Sequence, residues 1–394
     1  MADVRPRVLI AGVSTRAAAE SAARAGFRVT AIDAFADLDQ HPSVTAHALA
    51  RSFSAHAAAR AAREVTCDAV VYLSNFENHP NAVRMLTKSR ALWGNAPDVL
   101  RRVRDPVLLA QTLARRGFAV PAVFSGKPGT SRPEPRIPWL VKPLASGGGH
   151  RVRRWRTPAR ARLPRGSYLQ ELIEGAPGSV VFVAAGGRAV PLGVSWQLIG
   201  EPAFGAAGYR YCGSILAPSG PSPIENEAIV ADATALCPVV AEEFGLSGVN
   251  GIDFVARNGI AHTIEVNPRW SASMELVERA YGVSVFRAHA TACTDGELPE
   301  FDLSAARRGT PAVGKAVLFA RRDVVVGDTQ AWLRAQADPP AIRDIPRPGE
   351  RILAGRPVCT VIASGKDHTS CHTALVRLAD QVFGQLSVWE REIA

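Results

Sequence analysis

The chain has 394 residues, 47% hydrophobic and 21% charged, with a formal charge of +10 at pH 7. The length is too great for one small domain and suits two or three with their own cores. Arginine carries the positive charge, and lysine occurs only as Lys88, Lys127, Lys142, Lys315 and Lys366. The densest basic run, Arg151 to Arg165, has only Trp155 among its cations, so neither a nucleic-acid footprint nor any partnership with nucleic acid is expected.

The run Arg7-Val-Leu-Ile-Ala-Gly12 predicts a strand, Ser14-Thr15 the cap of an Ala-rich helix through Arg24, and Phe27 to Asp33 a second strand. This is the β-α-β opening of a doubly wound sheet. The glycines of a dinucleotide fingerprint are absent after Gly12, so Asp33 reads as a strand terminus rather than a ribose-binding acid. Ser14 to Arg16 form either an anion-holding helix N-terminus or a simple cap. A further strand, Asp68 to Leu73, runs into the polar loop Ser74-Asn75-Phe76-Glu77-Asn78, at a strand C-terminus where open α/β sheets bind ligands. Leu92 to Asn95 closes this unit. A linker helix is predicted over Asp105 to Gly117, then a proline-rich stretch to Pro138.

Trp139 to Pro143 reads as a strand, Ser146 to His150 as a glycine turn, and Val152 to Trp155 as the returning strand. Tyr168 to Ile173 is another strand. Val180–Ala185 and Val190–Trp196 form a hairpin around Gly186-Gly187, and a long Gly-rich loop covers Gly200 to Gly213. A helix from about Ile224 to Phe244 leads to the strand pair around Gly251–Phe254 and Glu265–Arg269. Helices follow over Ser273–Tyr281 and Val283–Thr294, then β pieces at Gly314–Ala320, Ile342–Pro346 and Arg356–Ile362, and a last helix over Ser370–Phe383. No apolar run approaches a membrane span, and Val8–Val13 is too short for a signal segment, so a cytoplasmic protein with no membrane partner is expected. The six cysteines follow no zinc spacing and read as reduced thiols. Cys212 alone, in the Gly-rich loop, has a chance of reactivity.

The chemistry concentrates in two places. Asp253, Glu265 and Asn267 supply carboxylate and amide oxygens, the hard donors that magnesium takes, and few are needed when a phosphate supplies the rest. Arg269, two residues past Asn267, is expected on the same strand face by the period of two. Lys142 stands in an apolar strand beside Ser146, Gly147, Gly148, Gly149 and His150. The pair suits a phosphate, with a point charge at the side and backbone N–H groups above. Alone, Lys142 is equally an edge-strand lysine and the glycines a hairpin tip.

In this order, V-K-P, the glycine loop, Q-E-L-I-E-G, G-I-D-F-V and E-V-N-P-R resemble the ATP-grasp superfamily over about residues 100 to 290. The C-terminal D-I-P-x-P-G and G-x-P resemble its biotin-carboxylase-related branch, and the whole is similar to ATP-grasp ligases of cofactor biosynthesis in archaea and one-carbon-metabolising bacteria. The resemblance implies an α/β and α+β architecture of three domains. These are a doubly wound parallel-sheet domain at 1–104, a linker helix and small β-rich lid at 105–190, and a catalytic α+β unit with a β-rich extension at 191–394. It further implies ATP and Mg2+, with Mn2+ as an alternative. Lys142 matches the lysine on the α/β-phosphates and Ser146 to His150 the loop over the triphosphate. Glu171, Leu172 and Ile173 match the hinge at the adenine edge, with Glu174 near the ribose. Asp253, Glu265 and Asn267 match the metal ligands, and Arg269 the γ-phosphate arginine. The family's second lysine is missing after Asp105-Pro106, where Arg104 is the nearest substitute.

The implied reaction is a carboxylate–amine ligation, or less often carboxylate–thiol, through an acyl phosphate. Ser74, Asn75, Glu77, Arg210 and Ser271 are candidate contacts to the carboxylate and amine substrates, alongside Asn78, Gln197, Tyr209, Tyr211 and Ser273. The alternatives are a biotin-carboxylase-like enzyme activating bicarbonate and a non-catalytic nucleotide-binding regulator. A homodimer is compatible with either.

Overall fold

The computed structural model describes residues 5–49, 53–126, 134, 136–156, 162–216, 227–334 and 341–393. The first unit is a parallel sheet of β1 (Arg7–Ala11), β2 (Arg28–Asp33), β3 (Val44–Ala48), β4 (Ala69–Tyr72) and β5 (Ala91–Leu92), in the order β3-β2-β1-β4-β5. Strand alternation sorts its core. Val8 and Ile10 pack with α1 (Arg16–Arg24), whereas Leu9 and Ala11 pack with α2 (Ala55–Ala61) and α3 (Pro80–Leu86). Helices α4 (Pro97–Val103) and α5 (Pro106–Arg115) lead out, Asp105 capping α5 through the N–H groups of Val107 and Leu108.

The lid is a four-stranded sheet of β6 (Val123–Phe124), β7 (Trp139–Pro143), β8 (Arg153–Arg154) and β9 (Ser167–Glu171), ordered β6-β9-β7-β8. Its core is small, built on Trp139, Val141 and Leu169. The return strand expected over Val152–Trp155 shrinks to Arg153–Arg154. Residues 127–133 and 135 of the proline-rich stretch lie outside the described residues.

The body is an eight-stranded antiparallel sheet of β10 (Ala176–Ala185), β11 (Arg188–Ile199), β12 (Tyr211–Leu216), β13 (Gly248–Arg257), β14 (Ile260–Asn267), β15 (Ala312–Phe319), β17 (Ile342–Arg343) and β19 (Pro357–Gly365). Its order is β14-β13-β10-β11-β12-β15-β19-β17, and β16 (Val324–Val325) pairs separately with β18 (Arg351–Ile352). The β10–β11 hairpin turns on Gly186-Gly187, both at positive φ, as a two-residue hairpin turn requires. A domain boundary at 190 would cut this hairpin, whose strands lie side by side in the body. The lid sheet ends at Glu171, so we place that boundary between β9 and β10. Helix α6 (Glu227–Phe244) covers one face; its expected start at Ile224 lies outside the described residues. On the other face lie α7 (Ser273–Tyr281) and α8 (Val285–Thr294). The short α9 (Leu303–Arg307) and α10 (Gln330–Arg334) precede α11 (His368–Ile393), which runs well beyond the expected Phe383.

Two expectations change here. The Gly-rich loop is shorter than Gly200–Gly213, because Tyr211 to Gly213 already pair in β12. Cys212 is therefore buried in a strand. Its thiol donates to the Leu198 carbonyl, and burial pushes its pKa up to about 11, the reverse of a reactive thiol.

The N-terminus of α1 is occupied by this chain's own groups rather than open to an anion. The Thr15 N–H and hydroxyl both donate to Asp33. Arg16 is wholly buried, bonded to Glu275 at 2.8 and 3.2 Å, to Asp344 at 2.8 Å and to Glu20 at 3.1 Å. Lys315 of β15 meets Glu275 at 2.6 Å, and Arg343 of β17 meets Asp39 at 3.2 Å. This network pins the first domain to the body.

Candidate active site

The antiparallel register of β13 and β14 places Asp253 opposite Glu265 and Gly251 opposite Asn267, so two carboxylates and an amide share one patch. Asn267 Nδ2 donates to Asp253 Oδ2 at 2.9 Å, and Gln197 Nε2 to Asp253 Oδ1 at 2.9 Å. Burial, with Glu265 close by, raises the Asp253 pKa to about 7. Burial would raise Glu265 too, but Arg104 and Lys142 beside it outweigh that and hold it low. Among the described residues no group of three or more His, Cys, Asp or Glu forms a metal cluster, so the protein offers two carboxylates and an amide here.

Strand β14 ends at Asn267, and Arg269 stands on the turn that follows, not on the strand face. Its guanidinium still reaches the patch. NH2 lies 3.4 Å from Asn267 Oδ1, NH1 donates to the Trp270 carbonyl at 2.9 Å, and Nε donates to Glu77 at 2.8 Å. From the lid, Lys142 Nζ donates to Gln170 Oε1 at 3.0 Å, while Gln170 Nε2 donates to the Ile264 carbonyl of β14 at 3.1 Å. Burial works against the Lys142 charge, yet Tyr168 and Glu265 nearby keep its pKa raised. Arg104 enters from the end of α4. It donates to the Val266 carbonyl at 2.9 Å and to Asn78 Oδ1 at 3.2 Å, and stands 3.4 Å from Glu265. Lys142, Arg104 and Arg269 thus gather around the carboxylate pair.

The glycine loop is folded onto the body. The Ser146 carbonyl accepts from Asn78 Nδ2 at 3.2 Å and Arg104 NH2 at 3.4 Å, and the Gly148 carbonyl accepts from the Tyr211 N–H at 3.1 Å. A Cβ on Gly149 would stand 1.7 Å from the Tyr209 carbonyl oxygen, so only glycine fits there. Gly147 is open to solvent and His150 is exposed. At the hinge, the Glu171 carboxylate and N–H both engage Ala122, the Leu172 N–H donates to the Pro138 carbonyl, and Ile173 is buried. Glu174 is exposed.

The substrate candidates divide. Glu77 and Asn78 reach the site but bind Arg269 and Arg104. Ser271 Oγ and Asn75 Oδ1 are buried without a hydrogen-bond partner among the described residues, the former beside Gly251. The Ser74 carbonyl accepts from the Val13 N–H, tying it to the β1–α1 turn. Arg210 is turned away: it donates to the Gly355 carbonyl at 2.5 Å and lies 4.8 Å over the Phe319 ring, anchoring its loop. Gln170, Tyr72 and Asn95 were missed. The Tyr72 hydroxyl and Asn95 amide both donate to the Pro268 carbonyl at 3.1 Å, contacts that nothing local in sequence announces.

Residues 103–273 match the model of the ATP-grasp domain. No curated protein matches the sequence. Among solved structures, the chain is similar to Rhizobium etli pyruvate carboxylase, with a TM-score of 0.71 and 16% identity over 95% of this chain and 37% of that one. It thus spans little more than a third of that protein. It is also similar to the L-amino acid ligase of Bacillus licheniformis, with a TM-score of 0.68 and 16% identity over 96% and 97% of the two chains. The biotin carboxylase domain of Hydrogenobacter thermophilus 2-oxoglutarate carboxylase, a dimer solved with MgADP and bicarbonate, has a TM-score of 0.66 and 17% identity over 92% and 86%. The fold agrees along nearly the whole length, and the match to the ATP-grasp domain covers the lid and the carboxylate strands.

Proposed function

We propose that the protein is an ATP- and magnesium-dependent ligase joining a carboxylate to an amine through an acyl phosphate. The observation that carries this reading is the convergence of Lys142, Arg104 and Arg269 on Asp253, Glu265 and Asn267. Three cations face three carboxylates when Glu77 is included, so the side chains bring little net charge. A bare polyphosphate would be repelled by the carboxylates, whereas a magnesium-bound one balances them. The all-oxygen donor set of Asp253, Glu265 and Asn267 fits that ion. Bound there, magnesium would neutralise phosphate charge as phosphoryl transfer proceeds.

The protein's own groups do the rest. Lys142 presents a point charge from the lid, and Arg104 a second cation where a lysine is absent. Arg269 keeps two of its five N–H donors uncommitted, enough for a paired contact to the γ-phosphate oxygens. The substrate carboxylate attacks the γ-phosphorus and displaces ADP, and the amine then displaces phosphate from the acyl phosphate. The glycine loop, seated on Tyr209 and Tyr211, keeps water from the acyl phosphate.

A coupled assay of ADP release over panels of acids and amines tests this reading. Acid- and amine-dependent turnover supports it, and no nucleotide binding by calorimetry ends it. Bicarbonate activation is the second reading, favoured by the fold shared with the biotin carboxylase domain; release of ADP dependent on bicarbonate alone would select it. That domain is a dimer, and light scattering tests the same assembly here. Among the described residues no helix is long and apolar enough to cross a membrane.

A further inference from the structure

The loop after β4 belongs to the first domain, yet its side chains end in the phosphate site. Phe76 is fully buried against Tyr72 and Phe53, which fixes the turn carrying Glu77. Glu77 is itself only 1% exposed, and one oxygen accepts from Arg269 Nε at 2.8 Å. Its other oxygen is buried with no partner among the described residues, so the carboxylate is committed to Arg269. The same domain holds the backbone just before this arginine, because Tyr72 and Asn95 both donate to the Pro268 carbonyl. Arg269 is therefore fixed at main chain and side chain by residues more than 170 positions away in sequence.

We infer that Glu77 is the positioning residue for Arg269, and that the first domain thereby completes the γ-phosphate subsite. The inference rests on the ATP-dependent reading above and replaces a substrate-contact role for Glu77. Its physical basis is donor count. With Nε held by Glu77, NH1 by Trp270 and NH2 by Asn267, the guanidinium is turned so that one N–H on each terminal nitrogen remains for an oxyanion. Without the carboxylate, a long side chain regains rotamer freedom and must lose it again on binding phosphate.

The test uses the full chain and two probes, Mg-ADP and a non-hydrolysable Mg-ATP analogue, each measured by calorimetry. Wild type is expected to bind the triphosphate more tightly. Glu77→Gln should lose about tenfold of that preference, the scale of one hydrogen bond to a charged group, with ADP affinity kept within about twofold. Added to Arg269→Ala, it should change nothing further. Equal weakening for both nucleotides, a retained preference, or additive effects would overturn the inference. A second measurement does not need nucleotide. The Arg269 Nε–H resonance, assigned by its loss in Arg269→Lys, should be slowly exchanging in wild type and lost or fast in Glu77→Gln. An unchanged resonance refutes the pairing. Failure of the wild type to bind either nucleotide, with that resonance behaving as expected, ends the ligase reading and leaves the pairing intact.

Discussion

Asp253 and Glu265 face each other across one antiparallel ladder, yet their carboxyls are driven in opposite directions. Burial and the neighbouring Glu265 lift Asp253 to about 7, while Arg104 and Lys142 keep Glu265 charged against its own burial. One proton is thus held where a cation would stand.

That proton has a measurable sign. An acid whose folded pKa is raised favours folding below its unfolded value of 3.8, and the benefit is lost as pH climbs toward 7. Glu265 acts in the opposite sense, but below 4.5, outside this window. Buried His289, its pKa lowered to about 4, acts in the opposite sense over part of this window, so the contribution of Asp253 is read by urea unfolding as a difference: from pH 5 to 7.5 the metal-free wild type should lose stability relative to Asp253→Asn. Mg-ADP should bind more tightly over the same rise, because the cation replaces the proton. A difference between wild type and Asp253→Asn that does not change with pH would contradict the assignment.

Lys142→Gln removes the lid's cation while keeping a polar side chain beside Gln170. Mg-ADP affinity is expected to drop about tenfold or more, with the melting temperature little changed. Glu265→Ala should abolish turnover in a folded protein. A normal rate in either variant would mean that the phosphates lie elsewhere.

Gly149 separates packing from charge. Its φ of +72° and the Tyr209 carbonyl 1.7 Å from a built Cβ make alanine incompatible with the folded-down loop. Gly149→Ala should weaken nucleotide binding and raise hydrogen exchange in residues 146–152. Gly147→Ala, with open space around it, is the control. Matching behaviour of the two would show that loop seating does not matter.

Arg16→Met leaves buried Glu275 and half-buried Asp344 without their main counter-charge. A loss of about 3–5 kcal/mol is expected, read as a lower urea midpoint. A change under 1 kcal/mol would mean that the remaining cations, Lys315 and Arg343, suffice.

The sequence made the strand cores, the lysine of the small sheet and the facing carboxylates legible, since each rests on local period and spacing. Val8 and Ile10 alternate as a buried strand must, and Asp253 and Glu265 lie on strands close in sequence. It could not show contacts whose partners are far apart. Glu77 looked like a substrate group because its partner Arg269 lies 192 positions away. Arg210 looked like a substrate contact because Gly355 was out of sight. The stretch Val44–Leu86 hid one strand and two helices, because alanine and histidine give little apolar contrast.

The Arg16 network also says how the molecule should come apart. Its charges are drawn from α1, α7, β15 and the residues around β17, so the first domain and the body share one buried knot. They are expected to melt as one cooperative unit. The lid hangs outside that knot on a core of Trp139, Val141 and Leu169. Partial unfolding should therefore begin at the flap, the site's two arginines keeping their places after its lysine has gone.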